Sequence, residues 1–173
     1  MRYGGWGIYF DEGSTHLEAT QNVVLRTTHG GFHQHYGREN HVHHNLFAFG
    51  RDAQLQRSRP EEHTSFTFDH NVVAWKGGEL LAGDLKDGHF DFHENVYEVG
   101  DAASARFAGA PFADWQKAGR DAKSLVAPLD LKDVTSQDRK GPETWSAPRE
   151  SPLWTVVQPP LDWRGLLLIR DVK

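Results

Sequence analysis

Apolar and polar residues alternate in short bursts along residues 7–100, and each burst closes on the same phrase. That phrase is an asparagine followed by two β-formers: Asn22-Val23-Val24, Asn45-Leu46-Phe47, Asn71-Val72-Val73 and Asn95-Val96-Tyr97. The asparagines are 23, 26 and 24 residues apart. Alternation is cleanest where Phe66 and Phe68, and again Phe90 and Phe92, flank a polar residue, which is period-two strand writing. No helical period is sustained here. Polar or glycine-containing breaks such as Gly50-Arg51-Asp52 and Lys76-Gly77-Gly78 supply tight corners. Recurrence at this interval marks stacked repeats, each of which buries its apolar side only against its neighbours. The recurring Asn favours a parallel β-helix over a meander or sandwich. In coils about 4.8 Å apart, the amide of one Asn can bond that of the next, and Asn also suits a left-handed or bent corner.

The pattern divides the chain into four coils over residues 1–105 and a C-terminal region over 106–173. In the latter, Phe112, Trp115, Ala118 and Ala122 are spaced for one apolar face, so residues 112–126 are predicted to form a helix lying over the fourth coil as a lid. Beyond Pro128 the chain is rich in Pro, Trp and charge, and the apolar run at 165–169 is read as a strand or a dimer contact. At the other end the repeats begin almost at once, without the polar unit that shields a first coil. Two readings follow: an array cut from a longer one, or a homo-oligomer formed through the uncapped first coil.

Composition narrows the classes. A chain of 173 residues suits one domain, and 38% hydrophobic residues suit a thin, elongated core. The formal charge of -5 gives no basic footprint, so no nucleic-acid partner is expected. The absence of cysteine excludes disulfides, thiol catalysis and Cys-type zinc sites. With no apolar run of about 18 residues, no membrane span is predicted. Residues 1–10 also lack the order of a secretory signal.

The phrases Asp11-Glu12-Gly13-Ser14 and Gly30-Gly31-Phe32-His33-Gln34-His35-Tyr36-Gly37, with the four Asn steps, resemble right-handed parallel β-helix proteins. More closely, they resemble the last coils of bacterial carbohydrate-active members, glycoside-hydrolase-like relatives of the pectate-lyase superfamily. The resemblance covers about two thirds of the chain. It implies an all-β, right-handed parallel β-helix of about four coils with a short C-terminal helix and irregular cap. It also implies a polysaccharide or oligosaccharide substrate, and relatives that are commonly secreted or periplasmic.

Candidate chemistry follows from phase. Aligning Gly13 with Gly37 places Tyr9 over His33 and Asp11 over His35, with Arg57 or Gln56 next. Asp11 and Glu12 are the leading candidates for acid, base or nucleophile, because an aromatic setting of Trp6, Tyr9 and Tyr36 can raise a carboxyl pKa. Carboxyl groups one coil apart would match the gap of about 5 Å used by retaining glycosidases. His33 and His35 share a strand face and are candidates for acid/base work or for orienting a sugar. Trp6, Tyr9, Tyr36 and Arg57 are the candidate substrate contacts, Arg57 for an acidic sugar. No cofactor is required by this reading. The alternative is a divalent metal, calcium or zinc, on His33, His35 and Asp11. His41, His43 and His44 carry weaker claims, and Asn22, Asn45, Asn71 and Asn95 are structural. Glycosidic hydrolysis is the expected reaction; a uronate lyase and a non-catalytic glycan-binding or assembly array are the rivals.

Overall fold

A computed structural model of the chain describes residues 5–76, 79–85, 87–100, 103, 105–128, 132–133 and 145–146. The tail features at Ser151-Pro152 and residues 165–169 lie outside these. The chain is an all-β parallel solenoid of about four turns, with one short helix among the described residues. The first coil carries β1 (Trp6–Phe10), β2 (Ser14–Thr15), β3 (Glu18–Thr20) and β4 (Val23–Leu25). The second carries β5 (Gly30–Gln34), β6 (Gly37–Arg38), β7 (Asn40–His43) and β8 (Leu46–Ala48). The third has β9 (Ala53–Arg57), β10 (Phe66–Asp69) and β11 (Val72–Trp75), and the fourth β12 (Glu79–Gly83), β13 (Asp91–His93) and β14 (Val96–Val99). Strands of equal phase pair in parallel as three walls: β1-β5-β9-β12, β3-β7-β10-β13 and β4-β8-β11-β14.

The four asparagines sit at one corner, between the second and third walls, and their side chains pile in register. Asn22 Nδ2 donates to Asn45 Oδ1 at 2.9 Å, Asn45 Nδ2 to Asn71 Oδ1 at 3.0 Å, and Asn71 Nδ2 to Asn95 Oδ1 at 3.4 Å. Each of these carbonyl oxygens also accepts the backbone N–H of the preceding Asn at 2.9 Å. Asn45, Asn71 and Asn95 are wholly buried, and their amides further satisfy the carbonyls of Ala19, Val42 and Phe68 at 2.8 Å. The left-handed conformation expected of Asn falls instead on the residue before it. Gln21, His44, His70 and Glu94 have φ between 51° and 60°. This frees the Asn to point inward while its neighbour makes the bend.

A fifth rung closes the stack. Lys123 repeats the left-handed bend with φ 60°, Ser124 stands in the Asn position and donates its place to β15 (Leu125–Val126), which pairs with β14. Ser124 Oγ accepts from Asn95 N at 2.7 Å, and the buried Asp121 accepts from Asn95 Nδ2 at 3.4 Å. The helix α1 (Phe112–Lys117) is shorter than the predicted 112–126, because Gly119 turns left-handed at φ 80° and the chain then re-enters the third wall. It does act as a lid: Trp115 is 5% exposed, stacks on Phe90 and donates Nε1–H to Asp121 Oδ2 at 2.7 Å. Beyond it, Lys132–Asp133 and Trp145–Ser146 form a short antiparallel pair.

Inside, apolar residues form columns. Phe47, Val73 and Tyr97 stack in one, Val42, Phe68 and Phe92 in another, all 3% exposed or less. Each fully buried Phe or Val contributes about 1.5–3 kcal/mol relative to exposure. The thin cross-section leaves little tolerance at close approaches. A Cβ on Gly31 would stand 2.8 Å from the Phe47 ring, and one on Gly37 would stand 1.9 Å from the Ser14 carbonyl oxygen.

The ladder predicts unequal costs for the same deletion. Asn71→Ala orphans the Asn45 N–H and the Val42 carbonyl in the core, and should destabilise by about 3 kcal/mol or more. Asn22→Ala at the outer rung should cost about 1 kcal/mol. Urea unfolding of the two variants checks this; equal losses would contradict an inward gradient of burial.

Candidate functional site

The residues singled out in the first two coils do converge, on the first wall. Register pairs Tyr9 with His33, which carries Asp11 opposite His35. At the corner the phase slips by one residue, so that Ser14 rather than Gly13 faces Gly37. Trp6 and Tyr9 stack with ring centroids 4.9 Å apart and planes at 21°. Both rings cover His33, at 4.6 and 4.8 Å. Tyr9 is 39% exposed, and the stack continues through His35 at 6.4 Å to Tyr36, which meets His35 edge-on at 5.2 Å. Arg59 lies over the Tyr36 ring at 4.5 Å.

Asp11 and Glu12 hang from the turn beside these rings. The Tyr9 hydroxyl donates to Asp11 Oδ1 at 2.9 Å, and His35 Nδ1 approaches the same oxygen at 3.3 Å. Glu12 reaches the same His35 nitrogen at 4.0 Å and takes a long bond of 3.5 Å from Tyr36. The expected raised pKa of Asp11 is not found. The hydrogen bond from Tyr9, then that from His35, then the Glu12 backbone N–H hold its carboxyl below the ordinary range. The aromatic rings donate polar contacts to Asp11 without burying it, so stabilisation of the anion wins over desolvation. Nor do carboxylates stand one coil apart here: the residue opposite Asp11 is an imidazole, and the acidic pair lies within a single turn.

His33 and Arg57 have structural surroundings. His33 is 4% exposed, its Nε2 lies 2.7 Å from Ser58 Oγ, and burial lowers its pKa to about 4. It is a neutral imidazole packed beneath Trp6 and Tyr9. Arg57 falls opposite Gln34 on the inward phase, while Gln56 takes the outward place over His33. Its guanidinium is wholly buried and grips Asp87 with both Nη groups, at 2.7 Å for Nη1–Oδ1. That ion pair lowers the Asp87 pKa to about 2. Arg57 is therefore a core cation and is withdrawn from any substrate. Trp75, at 6% exposure, is likewise core. Of the residues in the metal alternative, His35 Nδ1 lies 3.3 Å from Asp11 Oδ1, while His33 directs Nε2 to Ser58 and its ring centroid lies 6.4 Å from that of His35.

A second polar face lies on the wall β3-β7-β10-β13. Register aligns Glu18, His41, Thr67 and Asp91 in one row and Thr20, His43, Asp69 and His93 in the next, with His44, His70 and Glu94 at the bend. Asp69 accepts from His41 Nε2 at 2.5 Å and His70 Nδ1 at 2.7 Å, and its carboxyl pKa is lowered by those bonds against the opposing effect of burial. The His44 and His70 rings stack in parallel at 5.0 Å. Burial, then the neighbouring imidazoles of His43 and His70, lower the His44 pKa. Sequence reasoning passes over Glu18, Asp69 and His93, although the 23- to 26-residue register applied to the strands before each Asn would have aligned them. Comparison with known protein families, with curated proteins and with solved structures returned no match.

Two outcomes test these placements. His33 has a folded pKa near 4 against 6.5 when free, so its contribution is complete above pH 6.5 and is lost as pH falls towards 4. The loss should be on the order of 3 kcal/mol, and His33→Gln should flatten the stability–pH curve in that window. Asp87→Ala leaves Arg57 buried without its counter-charge and should cost about 3 kcal/mol or more by chemical unfolding. A cost near zero would place Arg57 in solvent.

Proposed function

We propose that this chain is a carbohydrate-active enzyme of the right-handed parallel β-helix, pectate-lyase-like kind, cleaving glycosidic bonds in a polysaccharide or oligosaccharide. One observation carries the reading. The partly exposed ring series Trp6, Tyr9, His35 and Tyr36 flanks two solvent-facing carboxylates, Asp11 and Glu12, within reach of one imidazole. Aromatic faces beside polar groups suit the apolar face and hydroxyl rim of a pyranose. Asp11, held as the anion, takes the part of nucleophile or general base. Glu12 takes the part of proton donor to the leaving oxygen, with His35 orienting both carboxyl groups. His33 supports Trp6 and Tyr9 from below. Two adjacent coils supply all of these groups, so the site needs no long loop of its own.

A uronate lyase draws less support, because Arg57, the side chain offered for neutralising a substrate carboxylate, is closed in the core. A panel of neutral and acidic glycans, scored for new reducing ends and for the absorbance of unsaturated uronates, separates hydrolase, lyase and inert array. Asp11→Asn and Glu12→Gln should each lower kcat by about 100-fold or more. Both residues are largely exposed, so the circular dichroism spectrum should be unchanged. Full activity in both variants would remove the site from this wall.

A further inference from the structure

The second polar face belongs to none of the roles above, and its side chains point to a different chemistry. We infer that Glu18, His41 and His43 form a binding site for a divalent transition-metal ion of the zinc class, clamping the first coil to the second. His41 and His43 are two apart on β7 and so project from the same side of the strand. Glu18 lies directly opposite His41 on β3. One donor atom from each of the three lies within 4.8 Å of the others. Zinc bonds of about 2.0–2.2 Å require tetrahedral donors about 3.5 Å apart. Small rotations of Glu18 and His41, whose side chains are 64% and 46% exposed, close that difference against the better buried His43. Two imidazoles and one carboxylate favour zinc, copper or nickel over calcium and magnesium, which take oxygen donors.

The groups behind the donors are those a metal site requires. A metal-bound imidazole needs its other nitrogen fixed by a hydrogen bond that sets the ring's orientation. The side chain of Asp69, 9% exposed, holds the His41 ring at Nε2 and is itself braced by His70. His43 Nδ1 lies 2.8 Å from His44 Nδ1 while its Nε2 meets Glu18 at 2.8 Å, so both edges of that ring are located. A groove of about 400 Å³ lined by His41, Thr67, Asp69 and His93 opens beside the trio. It provides an entry path and room for water in the remaining coordination position.

The test is titration of the full chain, stripped with a chelator, with Zn²⁺ in a calorimeter. One ion per chain is expected, with a midpoint of thermal unfolding that rises with Zn²⁺ concentration. The double variant His41→Gln/His43→Gln should weaken binding by about 100-fold or more, and Glu18→Gln and Asp69→Asn by about 10- to 100-fold. Lowering the pH from about 7 to about 5 should release the ion, because protons compete for the imidazole nitrogens. Co²⁺, used as a visible-absorbing probe, should lose its spectrum in the double variant while circular dichroism is retained. Absence of stoichiometric Zn²⁺ binding overturns the proposal. So does an affinity that survives the double variant but falls with His35→Gln.

Discussion

Everything in this molecule is referred to one buried hydrogen-bond chain, the side-chain amides of Asn22, Asn45, Asn71 and Asn95 at a single corner. A primary amide is suited to the task because it carries donors and an acceptor with two lone pairs on one small planar group. Each Asn can therefore serve its own coil, the coil before and the coil after without leaving a buried polar atom unpaired. The cost of misalignment is what fixes the register. A coil shifted by one residue would bury unsatisfied amides and carbonyls, and would also turn every strand's apolar set outward.

From that register the positions of the chemical groups follow. Asp11 faces His35 and Glu18 faces His41 because residues at equal phase in neighbouring coils are brought within side-chain reach. The two polar faces occupy different walls, the first confined to the first two coils and the second running across all four. On the first wall, hydrogen bonds from the Tyr9 hydroxyl and then from His35 lower the pKa of an exposed carboxylate; on the second, imidazoles and carboxylates satisfy one another around a nearly buried Asp69.

The architecture was readable in the chain because the Asn interval is a tertiary signal written in one dimension. The opposition of Tyr9 to His33 and Asp11 to His35 was readable for the same reason. What was not readable depended on differences of a single residue. Arg57 and Gln56 are adjacent, and alternation sends one into the core and the other to the surface; the phase of the third coil decides which. The bend residues Gln21, His44, His70 and Glu94 share no left-handed propensity, so nothing in their chemistry announces the slot. The fifth rung was hidden because Ser124 replaces Asn and a helix intervenes, stretching the interval. The electrostatics of Asp11 run opposite to what nearby rings suggest, because the Tyr9 hydroxyl stabilises the anion and the side chain stays in solvent.

The amide chain also has a direction. Each Nδ2 is given to the Oδ1 of the following coil, and at the far end the groups that receive are a hydroxyl and the carboxylate of Asp121, which has no N–H to hand on. A complete turn inserted anywhere between the first rung and the last would bring one giver and one receiver together, leaving both ends as they were. A partial turn would bring neither in balance. Length in this fold is accordingly quantised: the rod can lengthen or shorten by whole coils, with the same terminus docking each time, while fractions of a coil are admissible only where they bulge outward between walls, as residues 58–63 do between β9 and β10.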